Sequence, residues 1–317
     1  MSAPTIRAPT GANCPICGST HVSFCCACSD RRRGLPGEWS FWECARCAVL
    51  FQHPMPSFEQ LQSYYASYTT PEEAGLALYD RAQSDRLRRW YHLLTGDVDP
   101  RDFVPASRGT RILDYGCGAA PYLIHFHTRG AHVSGAELTP SVVQTCRAAG
   151  FDVALVERAD RIPFPDAEFD IVYLMQVIEH IAQPHEFLSE VRRVLKPGGA
   201  LYLAMPNARS IWRSFFGTNW VAGWFAPFHL FVYSVPAIRV LARAHGFALV
   251  RSRSVTSDSW LRLNLGAVLH PTNHRLDAAP KTWLDRPPAR IALAVLLRLA
   301  ELLARERDCL VVRLEKC

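Results

Sequence analysis

From Arg111 onward, short apolar runs alternate with longer stretches in which apolar residues recur every three to four positions. That alternation predicts α/β architecture, a parallel sheet whose strands are joined by crossover helices. The expected strands are Arg111–Tyr115, His132–Glu137, Val153–Val156, Phe169–Met175, Ala200–Met205, Ala248–Thr256 and Cys309–Leu314. Helices are expected near 120–129, 140–149, 184–195, 236–245 and 290–305. The last of these carries a broad apolar face (Ile291, Leu293, Val295, Leu296, Leu299, Leu302, Leu303), read as packing on the sheet or on a subunit partner in preference to a membrane surface.

Upstream the pattern changes twice. Residues 57–106 form a helical linker or cap: Ser57 can cap a first helix, and Leu78, Arg81, Asp85 and Arg89 fall on successive turns of a second from Leu76 to Leu94, before Pro100 and Pro105. Residues 1–56 have no helical period and are dense in Cys, Gly, Pro and Trp, which suits a small module stapled by metal because so short a segment cannot build a core alone. The main domain then spans 107–317. Its segment 205–235 holds Trp212, Phe215, Phe216, Trp220, Trp224, Phe225 and Phe228, a substrate lid or a piece of core.

Composition adds limits. The chain of 317 residues is ordinary in apolar and charged content, and its net charge of +6 is too small a surplus to point to nucleic acid. No apolar run is long enough to span a bilayer, and the N-terminus lacks a signal-peptide core, so a cytoplasmic location is expected. In a reducing compartment eleven cysteines are not a disulfide framework, and seven of them lie between Cys14 and Cys47.

The first expected strand runs into Asp114-Tyr-Gly116-Cys117-Gly118, a turn where glycine lets the backbone bend and a ligand approach. The second ends in Glu137, at the distance where a carboxylate can hold both hydroxyls of a ribose. These two features suit any nucleotide-binding fold. Two further stretches, Arg161-Ile-Pro-Phe-Pro-Asp through Met175-Gln-Val-Ile-Glu-His180 and Arg192-Arg-Val-Leu-Lys-Pro-Gly-Gly199 through Pro206, make the chain resemble class I S-adenosylmethionine (SAM) dependent methyltransferases of bacterial small-molecule, sugar and polysaccharide pathways.

The resemblance covers roughly 105–255 and implies a Rossmann-like sheet of seven strands, ordered 3-2-1-4-5-7-6 with the last antiparallel. It implies that Gly116, Cys117 and Gly118 flank the methionine moiety, with Asp114 near its amino group. Glu137 would hold the ribose, Leu138 would pack on adenine, and Met175 and Gln176 would line the methyl-donor pocket. The third glycine of the family's loop is Ala120 here. Where relatives carry Gly-Asp-Ala before the Ile-Pro-Phe motif this chain has Glu157-Arg-Ala159, with Asp160 as a substitute adenine contact.

Cys14-Pro-Ile-Cys17 and Cys44-Ala-Arg-Cys47 are paired knuckles that suit one tetrahedral zinc ion, although Cys25, Cys26 and Cys28 offer a competing set. The resemblance favours the outer pairs, because related sugar and polysaccharide enzymes begin with two such knuckles followed by a motif like Cys47-Ala-Val-Leu-Phe51. Such a closed site is structural.

Methyl transfer is an in-line displacement that needs an aligned nucleophile and a proton acceptor. His180 and His229 are the candidate bases, with Glu179 beside them at the carboxyl edge of the sheet. These positions also resemble the acidic and histidine set that binds a divalent ion in ubiquinone-pathway and small-RNA methyltransferases, but with Gln176 in place of the first acid, which weakens the metal alternative. The expected function is methylation of an oxygen or carbon on a small-molecule acceptor, a sugar, nucleotide-sugar or natural-product intermediate. Alternatives are an RNA or protein methyltransferase that docks through the ribbon, and a non-catalytic SAM-binding subunit. A homo-oligomer is compatible with the sequence.

Overall fold

The computed structural model describes residues 13–66, 103–118, 120–158, 161–256, 258–278 and 306–317, with 286, 289, 292 and 293. The expected helix at 76–94 and, apart from 292 and 293, that at 290–305 fall outside the described residues, as do Ala119, Ala159 and Asp160.

Seven strands form the main sheet: β4 (Arg111–Tyr115), β5 (His132–Glu137), β6 (Asp152–Leu155), β7 (Phe169–Met175), β8 (Leu195–Pro206), β10 (Phe247–Val255) and β11 (Cys309–Lys316). Their order is β10-β11-β8-β7-β4-β5-β6, with every neighbouring pair parallel except those made by β11. This is the expected seven-stranded order and polarity. Three strands match their expected bounds residue for residue, and the buried stretches of β4 and β7 are mostly apolar, as strands covered on both faces must be. Ile112, Leu113, Val172 and Leu174 are sealed from solvent.

Four crossover helices flank the sheet: α2 (Pro121–His127), α3 (Pro140–Ala148), α4 (Pro184–Val194) and α7 (Val235–Ala244). Each has proline in its first turn, where the missing N–H costs nothing and the fixed φ suits helix entry. At the end of α4, Arg193 donates to the carbonyls of Ile162 and Phe164 at 2.8 and 2.9 Å and pairs with Glu190 and Asp166. That fork holds the Ile-Pro-Phe loop against the sheet.

A second sheet is assembled from distant parts of the chain. Strands β1 (Val22–Cys28), β2 (Trp39–Cys44) and β3 (Leu50–Gln52) form an antiparallel meander, and β3 pairs with β9 (Phe231–Val232). The Cys-rich module is therefore knit into the large domain. Gln52 is buried and donates to the carbonyls of Pro227 and His229 at 2.9 and 2.8 Å. Ser234, which caps α7, donates to the Cys47 carbonyl at 2.6 Å. After β3, helix α1 (Phe58–Ala66) starts as expected at Ser57, whose Oγ accepts from the Gln60 N–H while the Gln60 side chain accepts from the Ser57 N–H.

Between β8 and β9 lie two short helices, α5 (Ile211–Phe216) and α6 (Val221–Trp224). The aromatic segment is packed down here: Phe216, Trp220, Trp224, Phe225 and Phe228 are buried, and Phe215 alone of the seven rings is mostly exposed. Trp220 donates to Asp308 at 2.8 Å and Trp224 to the Gly217 carbonyl at 2.9 Å, so both indoles are tied within the protein. Helix α8 (Asp258–Leu269), which the sequence pattern did not anticipate, packs against α6.

Candidate active site

The turn after β4 is built for a close ligand. Gly116 and Gly118 have φ of 75° and 49°, a region costly to residues with a Cβ. A Cβ on Gly116 would come within 2.6 Å of Val177 Cγ2. Ala120, at the third glycine position, also sits at φ 60°. Gly116→Ala is expected to weaken binding of S-adenosylhomocysteine by about tenfold or more and to destabilise the fold by about 1–3 kcal/mol. Calorimetry and a thermal melt on the same variant check both effects.

Glu137, at the end of β5, reaches this turn. Its Oε2 accepts from the Gly118 N–H at 3.0 Å, and Oε1 accepts from the N–H groups of Leu138 and Thr139 at 2.8 and 3.0 Å. Three backbone donors fix the carboxylate at the rim of the turn. Asp114 is buried beneath it, and neither of its oxygens has a hydrogen-bond partner. Burial, and then the nearby charge of Glu137, push its carboxyl well above the usual range. An acid in that state is costly unless a cationic ligand group reaches it.

The remaining predicted cofactor residues surround this point in different ways. Cys117 contributes its backbone to the turn, while its thiol is buried where a Cβ on Gly135 would meet it at 2.8 Å. Leu138 is about half exposed at 49 % beside Glu137. Met175 ends β7, half-buried, and Gln176 follows at φ 56° with its N–H donating to the Ala204 carbonyl at 2.7 Å. The Gln176 amide is turned toward Cys309 Sγ, 3.5 Å away. The stretch that relatives use for adenine, around Asp160, is outside the described residues.

A second group assembles Glu179, His180 and His229. The residues at 178–180 form a single 3₁₀ turn after β7, and the Glu179 carbonyl accepts from the Leu230 N–H at 2.8 Å, which draws the 229–232 segment over it. Glu179 Oε1 lies 3.9 Å from His229 Nε2, and the two imidazoles stand edge to face with centroids 4.8 Å apart. His180 Nδ1 is 2.9 Å from the Phe228 carbonyl and His229 Nδ1 is 2.8 Å from that of Gly223, so in each ring Nδ1 carries the proton and Nε2 is the basic nitrogen.

Burial governs the charges. Both Glu179 oxygens lack a hydrogen-bond partner, and burial lifts the carboxyl to about 8. Burial lowers His180 to about 4, assisted by the charge of Arg32, and takes His229 well below its ordinary value. One ligand atom from each residue lies within 4.8 Å of the others. Two anchored neutral imidazoles and a donor-less carboxylate fit a divalent cation, since metal-bound histidines commonly donate their other N–H to a carbonyl. Gln176 directs its amide at Cys309 Sγ.

The Cys14, Cys17, Cys44 and Cys47 thiols also converge within 4.8 Å of one another. Cys14 and Cys47 are 3.6 Å apart, as are Cys17 and Cys44. A tetrahedron with bonds of about 2.3 Å separates its sulfurs by about 3.8 Å, so the geometry fits zinc. Each knuckle closes with a turn: Gly18 N–H donates to the Cys14 carbonyl and Ala48 N–H to that of Cys44. Cys25, Cys26 and Cys28 lie on β1 outside this group, with Cys26 and Cys28 sulfurs 3.7 Å apart.

Residues 113–203 match the family described as a methyltransferase domain. Over those residues the chain carries a methyltransferase domain. The match begins at Leu113 in β4 and ends at Leu203 in β8, so it brackets the glycine turn, Glu137 and the Glu179-His180 pair. A ubiquinone biosynthesis O-methyltransferase from Maricaulis maris is 32% identical over 124 residues, 37% of this chain and 49% of that protein. One from Chelativorans sp. is 29% identical over 133 residues, 40% of this chain and 52% of that protein. The chain thus spans about half the length of the curated relatives it matches. A SAM-dependent methyltransferase structure from Mesorhizobium loti aligns at 17% identity with a TM-score of 0.45, covering 68% of this chain and 95% of that one. Among the described residues no helix is long and apolar enough to cross a membrane.

Two features around the methyltransferase domain had no sequence signal. Gln52 and Arg32 come from the Cys-rich module, some 150 residues or more from the groups they approach, and only the folded chain brings them together.

Proposed function

We propose that the protein transfers the methyl group of SAM to a small molecule, at an oxygen or carbon of a sugar, nucleotide-sugar or natural-product intermediate. The observation that carries the cofactor assignment is the Glu137 carboxylate, held by three N–H groups at the rim of the glycine turn, where it can accept from both ribose hydroxyls. Gly116, Cys117 and Gly118 supply the backbone wall, and Asp114 beneath them receives the methionine ammonium. Leu138 covers adenine, and Met175 and Gln176 border the sulfonium. The names of the relatives, which are O-methyltransferases, support oxygen as the acceptor atom.

In the transfer, the acceptor oxygen forms its bond to the methyl carbon as the carbon–sulfur bond breaks. The sulfur keeps the electron pair and becomes the thioether of S-adenosylhomocysteine, and the acceptor proton passes to a base. His180 or His229 takes that proton at Nε2, since both rings are neutral at neutral pH. The partnerless Glu179 carboxylate favours a second reading of the same cluster, in which Glu179, His180 and His229 hold a divalent cation. Such an ion would lower the pKa of an acceptor hydroxyl. We also assign the four ribbon thiolates to a structural zinc.

Calorimetry with SAM and S-adenosylhomocysteine tests the core of this reading; binding of neither overturns it. Turnover is followed as S-adenosylhomocysteine release on a panel of catechols and nucleotide sugars. His180→Ala and His229→Ala are each expected to cut it by about 10²–10⁴ with the cofactor affinity kept. Metal content of Glu179→Gln separates base from ligand: unchanged metal and activity would remove the cation reading.

A further inference from the structure

The loop between β1 and β2 is tied down by hydrogen bonds and reaches Phe225, a neighbour of His229. Asp30 accepts from the N–H groups of Arg32, Arg33 and Leu35 at 2.9–3.0 Å, and Arg31 binds Asn219 and the His270 carbonyl at 2.6 and 2.7 Å. From that loop Arg32 lays its guanidinium on the face of Phe225, with Cζ 3.8 Å from the ring centroid. Phe225 in turn stands edge to face with His229, centroids 5.2 Å apart. Its backbone is at φ 29°, a strained position for a bulky residue of the kind found at ligand sites.

Arg32 Nε donates to Asp277 Oδ1 at 3.1 Å, on a carboxylate that also lies 3.1 Å from Arg33 Nε. With its Nε edge on Asp277 and its face on Phe225, Arg32 keeps its outer edge for another partner. Among the described residues its terminal amino groups make no hydrogen bond. A fixed, stacked guanidinium with a donor edge is a fork matched to an oxyanion.

We propose that Arg32 is the anion-recognising wall of the acceptor site, so that the molecule methylated carries a phosphate or carboxylate. The proposal rests on the methyl-transfer reading for its biological meaning. It gives the Cys-rich module a part in acceptor choice, because Arg32 lies on the loop that joins β1 to β2 of that module.

The test uses the full chain saturated with S-adenosylhomocysteine, titrated calorimetrically with inorganic pyrophosphate and, separately, with succinate. Wild type is expected to bind one of them saturably, and the stronger of the two identifies the anion as phosphate or carboxylate. Arg32→Gln should lose at least about tenfold in that affinity, with Arg32→Lys intermediate and S-adenosylhomocysteine affinity unchanged. Asp277→Asn, which removes the carboxylate charge beside Arg32 but spares the guanidinium, should keep or raise anion affinity. Saturable binding of neither anion, equal binding by wild type and Arg32→Gln, or equal losses in Arg32→Gln and Asp277→Asn would each overturn the proposal. If S-adenosylhomocysteine itself fails to bind, the methyl-transfer reading falls, and the two anion titrations on the unliganded chain still decide whether Arg32 binds an oxyanion.

Discussion

Glu137→Ala should weaken binding of both SAM and S-adenosylhomocysteine by about a hundredfold. A carboxylate accepting from two ribose hydroxyls makes two hydrogen bonds with a charged partner, each worth about 1.5 kcal/mol or more, and about 3 kcal/mol is two decades in affinity. The variant also strips the acceptor from the N–H groups of Gly118, Leu138 and Thr139, so the turn itself loosens. Glu137→Gln separates the two effects. An amide oxygen still accepts from the turn but can satisfy fewer ribose and backbone donors at once, so its loss should fall between wild type and alanine. Calorimetry with S-adenosylhomocysteine reads the difference without needing the acceptor. Affinity within a factor of two of wild type in Glu137→Ala would place the ribose elsewhere. The partnerless state of Asp114 adds a directional check, since a ligand ammonium reaching it would stabilise its ionised form and proton release would accompany cofactor binding.

The central strands were legible because their constraint is local. Leu113 and Val172 are sealed inside the sheet, so only apolar residues fit, and β4 and β7 were readable to the residue. The start of β8 was not. Lys196-Pro-Gly-Gly199 has turn chemistry, yet it continues the strand from Leu195, with the register slipping between Phe169 and Ile171 on its partner. Helix α8 follows directly on β10, and its apolar residues serve contacts with α6 that no local pattern announces. The site divides the same way. The glycine turn and Glu137 lie on consecutive strands and have a spacing. Glu179 and His229 are 50 residues apart, and they meet because Leu230 bonds to the Glu179 carbonyl and β9 pairs with β3. A two-residue strand inside an aromatic run has no period to detect. Nor does Arg32, whose place in a short basic run gave no hint that it would stack on Phe225.

Loss of the proposed ribbon zinc should reach beyond the ribbon. Cys14 and Cys47 share one buried cluster with Phe51, Leu230, Phe231 and Tyr233, so the four sulfurs sit at the edge of the core that carries the His229 segment. Without a cation, four converging thiolates repel and four thiols leave the knuckles untied, and the binding energy of such a site is folding energy for the module. Cys44→Ser is expected to lower zinc content from one ion per chain to near zero and to destabilise the protein by about 5 kcal/mol, a Tm fall of about 10–20 °C for a domain of this size. Cys25→Ser, outside the four-sulfur group, should keep the zinc and stay within about 1 kcal/mol of wild type. The sharper expectation concerns function. Gln52 links β3 to the His229 carbonyl, whereas the turn at Gly116–Gly118 rests on β4 and β5 across the sheet. Folded Cys44→Ser should therefore retain S-adenosylhomocysteine affinity while losing methyl transfer. Elemental analysis, a melt and calorimetry on one preparation read all three. An unchanged zinc content, or a loss of cofactor binding equal to the loss of turnover, would break the link between the ribbon and the acceptor side of the site.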